Sequence, residues 1–286
     1  MKLKTAITRT LVCLIVLAFS GLLATAQSAP QTVWAVAGHS SAVTDVAYSP
    51  NGSLLASASF DRTVKLWRSA DGSLAAVLSG HTAEVKAVAF SGDGSIVASG
   101  SYDRTVKLWS ASNGALLRTL AGHADTVRAV ACSADGSLVA SGSQDGTVKL
   151  WRVSDGALLN TLAGNAGWVM SVAFSPDGGS VISGGADRTI TQWRVSDGAL
   201  LKRFSAHNDW VMSVAFAPNG ATFASASLDG TAKVWSASDG ALVRTLTGFT
   251  DAVGSVAYSG DSGSLLTADW ARGVKVWNTA DGSLAR

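Results

Sequence analysis

From about residue 40 onward the chain alternates short apolar runs with turn residues, and the spacing between turns is short throughout. Val85–Phe90 reads as a buried strand, followed by a Gly92-Asp93-Gly94 turn. Residues 95–101 read as a second strand, and Tyr102-Asp103-Arg104 as a tight turn. Residues 105–109 alternate and are rich in β-branched side chains, which predicts a third strand. Asn113-Gly114 makes a further turn, and residues 115–120 a fourth strand. Turn signals at this spacing predict an all-β fold. A helical array would need apolar positions three and four apart over ten or more residues, and that pattern is missing from the sequence.

The same unit recurs. Trp67, Trp109, Trp151, Trp193, Trp235 and Trp277 each follow the last by 42 residues. His39, His81, His123 and His207 keep the same period, with Asn165 and Phe249 in the two other places. Asp61, Asp103, Asp145, Asp187 and Asp229 lie six residues before their tryptophans. A period in the low forties with four strands per unit predicts a β-propeller of six four-stranded antiparallel blades. Residues 32–36 are phased as an outer strand, so the ring is expected to close by an N-terminal strand completing blade six.

Gly38-His39, Gly80-His81 and Gly122-His123, with the stretch from Ala56 to Trp67, resemble the WD40-repeat propellers over about residues 31–286. No unit has Asp after its Trp; Arg68, Ser110, Arg152, Arg194, Ser236 and Asn278 stand there. The resemblance implies a network in each blade, joining a His before the first strand, a Ser on the second, an Asp in the following turn and the Trp on the third. The sets are His39, Ser57, Asp61 and Trp67; His81, Ser99, Asp103 and Trp109; His123, Ser141, Asp145 and Trp151; and His207, Ser225, Asp229 and Trp235. Blade four keeps Ser183, Asp187 and Trp193. Blade six has Phe249, Thr267 and Ala271 in the places of His, Ser and Asp, and is expected to be the least rigid.

Ser, His and Asp together also suit a hydrolase. Four copies in fixed repeat positions favour a structural network instead. The acidic residues fall mostly in repeated turns, and no unit holds a close acidic pair, so neither a metal site nor a cofactor is expected. Cys132 takes the place of Phe90 and Phe174, which predicts a small core residue.

Contact with a partner is expected where the copies disagree. Three residues after the Gly-His place come Ala42, Glu84, Thr126, Trp168, Trp210 and Ala252. Five after it come Thr44, Lys86, Arg128, Met170, Met212 and Gly254. Before the turn Asp come Phe60, Tyr102, Gln144, Ala186, Leu228 and Trp270. The first two sets are two residues apart and are expected to share a strand face. The resemblance places all three on the top face. The candidate partner-binding residues are Phe60, Lys86, Tyr102, Arg128, Trp168, Met170, Trp210, Met212, Leu228 and Trp270. An aromatic cluster beside a basic arc suits a protein or peptide with apolar anchors and an acidic group. The alternatives are that Trp168 and Trp210 only pack on blade edges, that a hydrolase site lies at the axis, or that the aromatics bind sugars.

Composition adds location and charge. Lys2, Lys4 and Arg9 precede an apolar run over residues 11–23 and the small-x-small site Ala24-Thr25-Ala26. Residues 1–26 therefore read as a signal peptide cleaved before Gln27, and residues 27–286 as an exported propeller, periplasmic or secreted. The whole chain carries 22 basic and 20 acidic residues; without the leader's three cations the balance is 19 to 20. Near-neutral charge and no basic block argue against nucleic acid. After cleavage no membrane span is expected, and the expected state is a monomer.

Overall fold

The computed structural model describes residues 38–286, in which 23 strands form six antiparallel sheets, five of four strands and the last of three. Each sheet is a meander in chain order, and each is one blade of the propeller. Blade one is built from Val43–Tyr48, Leu54–Ser59, Thr63–Arg68 and Leu74–Ser79. In blade two the strands expected from the sequence form within a residue or two: Val85–Phe90, Ile96–Ser101, Thr105–Ser110 and Leu116–Ala121.

The turns follow from their residues. Ser91 Oγ donates to Asp93 Oδ1 at 2.5 Å and the Ser95 N–H donates to the same oxygen at 3.0 Å. That closes an Asx turn with Gly94 at φ 73°. On the opposite face, the turn between second and third strands needs a left-handed residue. Gly146 and Gly230 supply it in blades three and five, but Arg62, Arg104, Arg188 and Arg272 hold φ between 66° and 71° in the other four.

The first strand of every blade carries a bulge after its first residue, as between Val43 and Asp45 or Val85 and Ala87. The extra residue is Thr44, Lys86, Arg128, Met170, Met212 or Gly254 in turn. This corrects the expectation that the two variable positions simply alternate along one strand face. The bulge takes one of them out of the ladder and re-aims its side chain.

The core lies between blades. The second and third strands of one blade pack on the first two strands of the next, as Val64 and Leu66 do on Val85, Val88 and Val97. Gly100, Gly142 and Gly184 sit at this contact. A Cβ on Gly100 would stand 2.7 Å from Val127 Cγ1, so glycine lets the blades approach.

This packing runs from blade one to blade six, and no comparable packing joins the first strands of blades six and one among the described residues. Val274 is 47% exposed, whereas its counterparts Val64, Val106 and Val148 are fully buried at 0%. Val43 is half-buried, whereas Val85, Val127, Val169, Val211 and Val253 are buried. Blade six has three full strands plus a tail that starts a fourth. Trp277 bridges Leu284, and the Val276 N–H donates to the Arg286 carbonyl at 2.9 Å. The expected ring-closing strand at 32–36, Trp34 and the leader at 1–26 lie outside the described residues.

Candidate functional site

The repeated polar set forms the expected network in four blades. In blade two, Trp109 Nε1 donates to Ser99 Oγ at 2.8 Å. Ser99 Oγ lies 2.8 Å from His81 Nε2, and His81 Nδ1 lies 2.7 Å from Asp103 Oδ2. Indole only donates and carboxylate only accepts, so the proton shared with Asp103 sits on His81 Nδ1, and in that tautomer the serine hydroxyl donates to Nε2. Blades one, three and five repeat the relay at 2.7–2.9 Å.

Burial works to raise the network carboxylates, but bonds from Thr, His and backbone N–H outweigh it and hold Asp61 and Asp145 at about 2. Asp103 and Asp229 are also held below the usual carboxylate range. Burial pushes His123 and His207 down, against the pull of their aspartates.

The order Ser–His–Asp is that of a hydrolase triad, but its surroundings are not. Ser57, Ser99, Ser141 and Ser225 are buried, and each oxygen already accepts an indole N–H. A nucleophile needs that oxygen facing a substrate. Burial pushes the Cys132 thiol up to about 12, away from the thiolate that a nucleophile needs. Among the described residues no cluster of three or more His, Cys, Asp or Glu side chains could hold a metal ion.

Blade four is wired differently from the pattern of its repeat. Ser183 Oγ donates to Asn165 Oδ1 at 3.0 Å, but Trp193 Nε1 turns to the Ala163 carbonyl at 3.4 Å. Asn165 Nδ2 is buried with no partner among the described residues. Arg203 Nη2 donates to Asp187 Oδ2 at 3.1 Å, in the place where histidine bonds in other blades. In blade six, Trp277 Nε1 donates to Thr267 Oγ1 at 2.9 Å, and Phe249 packs on the indole at 5.6 Å.

The variable positions meet on one face. In every blade the backbone N–H of the residue before the turn Asp, or before Ala271 in blade six, donates to the carbonyl of the loop position, as Tyr102 does to Glu84 and Leu228 to Trp210. Phe60 and Tyr102 contact edge to face at 6.1 Å, with Lys86 Nζ 5.9 Å from the Phe60 centroid. The Arg128 guanidinium lies 4.8 Å over the Trp168 ring, and Trp168 meets Trp210 edge to face at 5.6 Å.

With its amide oxygen turned to the guanidinium, Gln144 accepts from Arg128 Nη2 at 2.6 Å and Nε at 2.7 Å. Burial lowers the Arg128 pKa, opposed by Tyr102 and Asp125, and the residue makes no ion pair among the described residues. Phe60, Tyr102, Arg128, Trp168 and Trp210 thus follow one another across blades one to five. Met170, Met212 and Leu228 are half-buried beside them. Trp270 stands apart, with its indole over the Gly254 backbone of its own blade.

Gln144, Arg203 and the inter-blade role of Asp45 escape a reading of the sequence. The Asp45 carboxylate accepts from the Val88 N–H of blade two at 2.9 Å, as Ser171 and Ser213 oxygens do from Val214 and Val256 further round. The visible signal was position: Asp45 stands where later repeats have Ser.

Comparison with known proteins agrees with this geometry. The curated protein "Protein Mut11" of Chlamydomonas reinhardtii is 59% identical over 39 residues, which are 14% of this chain and 10% of that protein. The chain therefore matches about a tenth of that relative's length. The family model described as "WD domain, G-beta repeat" matches residues 30–68, 72–110, 114–152, 156–194, 198–236 and 240–278. Six tandem matches along the chain, on six blades of the expected topology, show that this protein belongs to the WD40-repeat family of β-propellers.

Proposed function

We propose that the protein is a non-catalytic scaffold that binds a protein or peptide segment on the face carrying Trp168 and Trp210. WD40 propellers commonly serve as interaction scaffolds, and the finer assignment rests on one observation. Arg128 is a half-buried cation held by the Gln144 amide and stacked on the Trp168 indole, with no ion pair among the described residues, in the middle of a series of exposed and half-buried aromatic rings. Aromatic and arginine side chains at the centre of a patch are the usual anchors of interfaces. A partner with an acidic side chain for Arg128 and an apolar one for the two tryptophans fits this surface. The reading includes export, which is tested by whether the mature chain begins at Gln27.

The decisive experiment is crosslinking and capture from the native exported fraction, comparing the parent with the Trp168→Ala, Trp210→Ala double variant. Loss of the captured partner with a melting temperature within a few degrees of the parent is the expected result. Retained capture, or unfolding of the double variant, assigns the tryptophans to packing.

A further inference from the structure

On the opposite face the outer strand of each blade sends a side chain toward the next, and it is shortest where blade one meets blade two. The third residue of each outer strand faces the turn that follows the third strand of the next blade. In blade two this residue is Arg118. Its Nε donates to the Val153 carbonyl at 3.2 Å and its Nη2 to the Ser154 carbonyl. Lys202 of blade four donates to the Ser238 carbonyl, and Arg244 Nη1 of blade five to the Thr279 carbonyl at 3.3 Å.

Each stem crosses the turn glycine. A Cβ on Gly156 would stand 3.2 Å from Arg118 Cδ, and one on Gly240 3.5 Å from Lys202 Cδ. Asn160 of blade three rests over Gly198 in the same way.

Blade one has Ala76 at this place. The carbonyls of Ala111 and Ser112, counterparts of Val153 and Ser154, accept no hydrogen bond among the described residues. Where a cationic stem would lie, there is an open groove of about 700 Å³, walled by Leu54, Ala70, Ala75, Ala76, Ala111 and Ser112. Arg68 also borders the groove; its Nη1 donates to Ser73 Oγ at 3.5 Å, and the Asp71 carboxylate feels its charge.

We propose that this groove binds an arginine side chain presented by a partner polypeptide, in the pose that Arg118 adopts one blade further on. Two adjacent carbonyls suit the planar, forked donor set of a guanidinium better than the point charge of an ammonium. The alanine walls take the methylene stem. The contact lies on the face opposite the tryptophans and does not depend on them.

The test uses the full chain with carbonyl carbons labelled, titrated with acetyl-Gly-Arg-Gly-amide and with the same peptide carrying citrulline, a neutral isostere. Saturable shifts at Ala111 and Ser112 are expected with a dissociation constant on the order of 1 mM, weakened about tenfold or more by citrulline. Ala76→Arg should abolish them while keeping or raising the melting temperature, because it copies blades two and five. Should that variant fail to fold, Ala75→Leu, which copies Leu117 of blade two, narrows the groove and should weaken binding. Equal binding of the citrulline peptide, preference for acetyl-Gly-Glu-Gly-amide, no saturable shift, or undiminished binding in the filled variant overturns the proposal.

Discussion

Ser99→Ala tests the blade network most directly, because it removes one oxygen and touches two partners. The Trp109 Nε1–H loses its acceptor and His81 Nε2 loses its donor, and both rings are buried. A buried polar group left without a partner costs about 1–3 kcal/mol, so the loss from two should be about 2–6 kcal/mol. For a chain of this size that is a fall in melting temperature on the order of 5–15 °C.

Ser183→Ala in blade four is the internal control. The serine is equally buried, but Trp193 does not bond to it, and Asn165 Oδ1 keeps a second donor in Thr191 Oγ1 at 3.3 Å. One ordinary hydrogen bond is lost, worth about 0.5–1.5 kcal/mol. Calorimetry on both variants, with exchange of the Trp109 indole proton followed by NMR, gives the comparison. Equal losses, or an unchanged exchange rate at Trp109, would refute the relay as the source of blade stability.

Two further outcomes follow from charge and from the seam. Burial raises the Asp45 carboxyl from 3.8 to about 6, against the Val88 and Val46 N–H groups and the Lys86 charge. The folded chain then holds a proton that the unfolded chain releases, so the stability linked to this group is present below about pH 4 and lost as pH rises through 6. Asp45→Ser, the residue of blades four to six at this place, should melt higher than the parent near neutral pH and lose that advantage at about pH 4. A variant less stable at both values would contradict the assignment. Val274→Lys should change stability by no more than about 0.5 kcal/mol, whereas Val106→Lys should cost about 4 kcal/mol or more. A large loss at Val274, read by chemical denaturation, would mean that the blade-six face is covered in solution.

The sequence reads well where structure repeats. Period, turns and strand bounds were visible because each blade closes its own turns with residues two apart, as Asp93 does with Ser91 and Ser95. The network in blades one, two, three and five was legible through the resemblance to the family, because its His and Asp lie 22 residues apart and no local pattern joins them. Blade four was not, because Arg203 enters from the outer strand, a position that carries no polar duty in the other networks. The bulge that re-aims Arg128 and Met170 is a register effect, hidden from a pattern of apolar positions. The groove beside Ala76 was hidden too, since its meaning lies in what Arg118 and Arg244 reach in the following blade.

The reach of the inter-blade bonds has a kinetic consequence. Asp45 to Val88, Ser171 to Val214 and Ser213 to Val256 each span 43 residues, and no described side-chain hydrogen bond spans more. Contacts this local favour fast formation. During synthesis at about 5–20 residues per second, a new blade emerges every few seconds and finds its only docking surface already folded beside it. A growing chain therefore presents the uncovered apolar face of its newest blade, and each addition buries that face as it creates the next. Aggregation-prone surface during translation stays at the size of one blade, however many repeats the gene encodes.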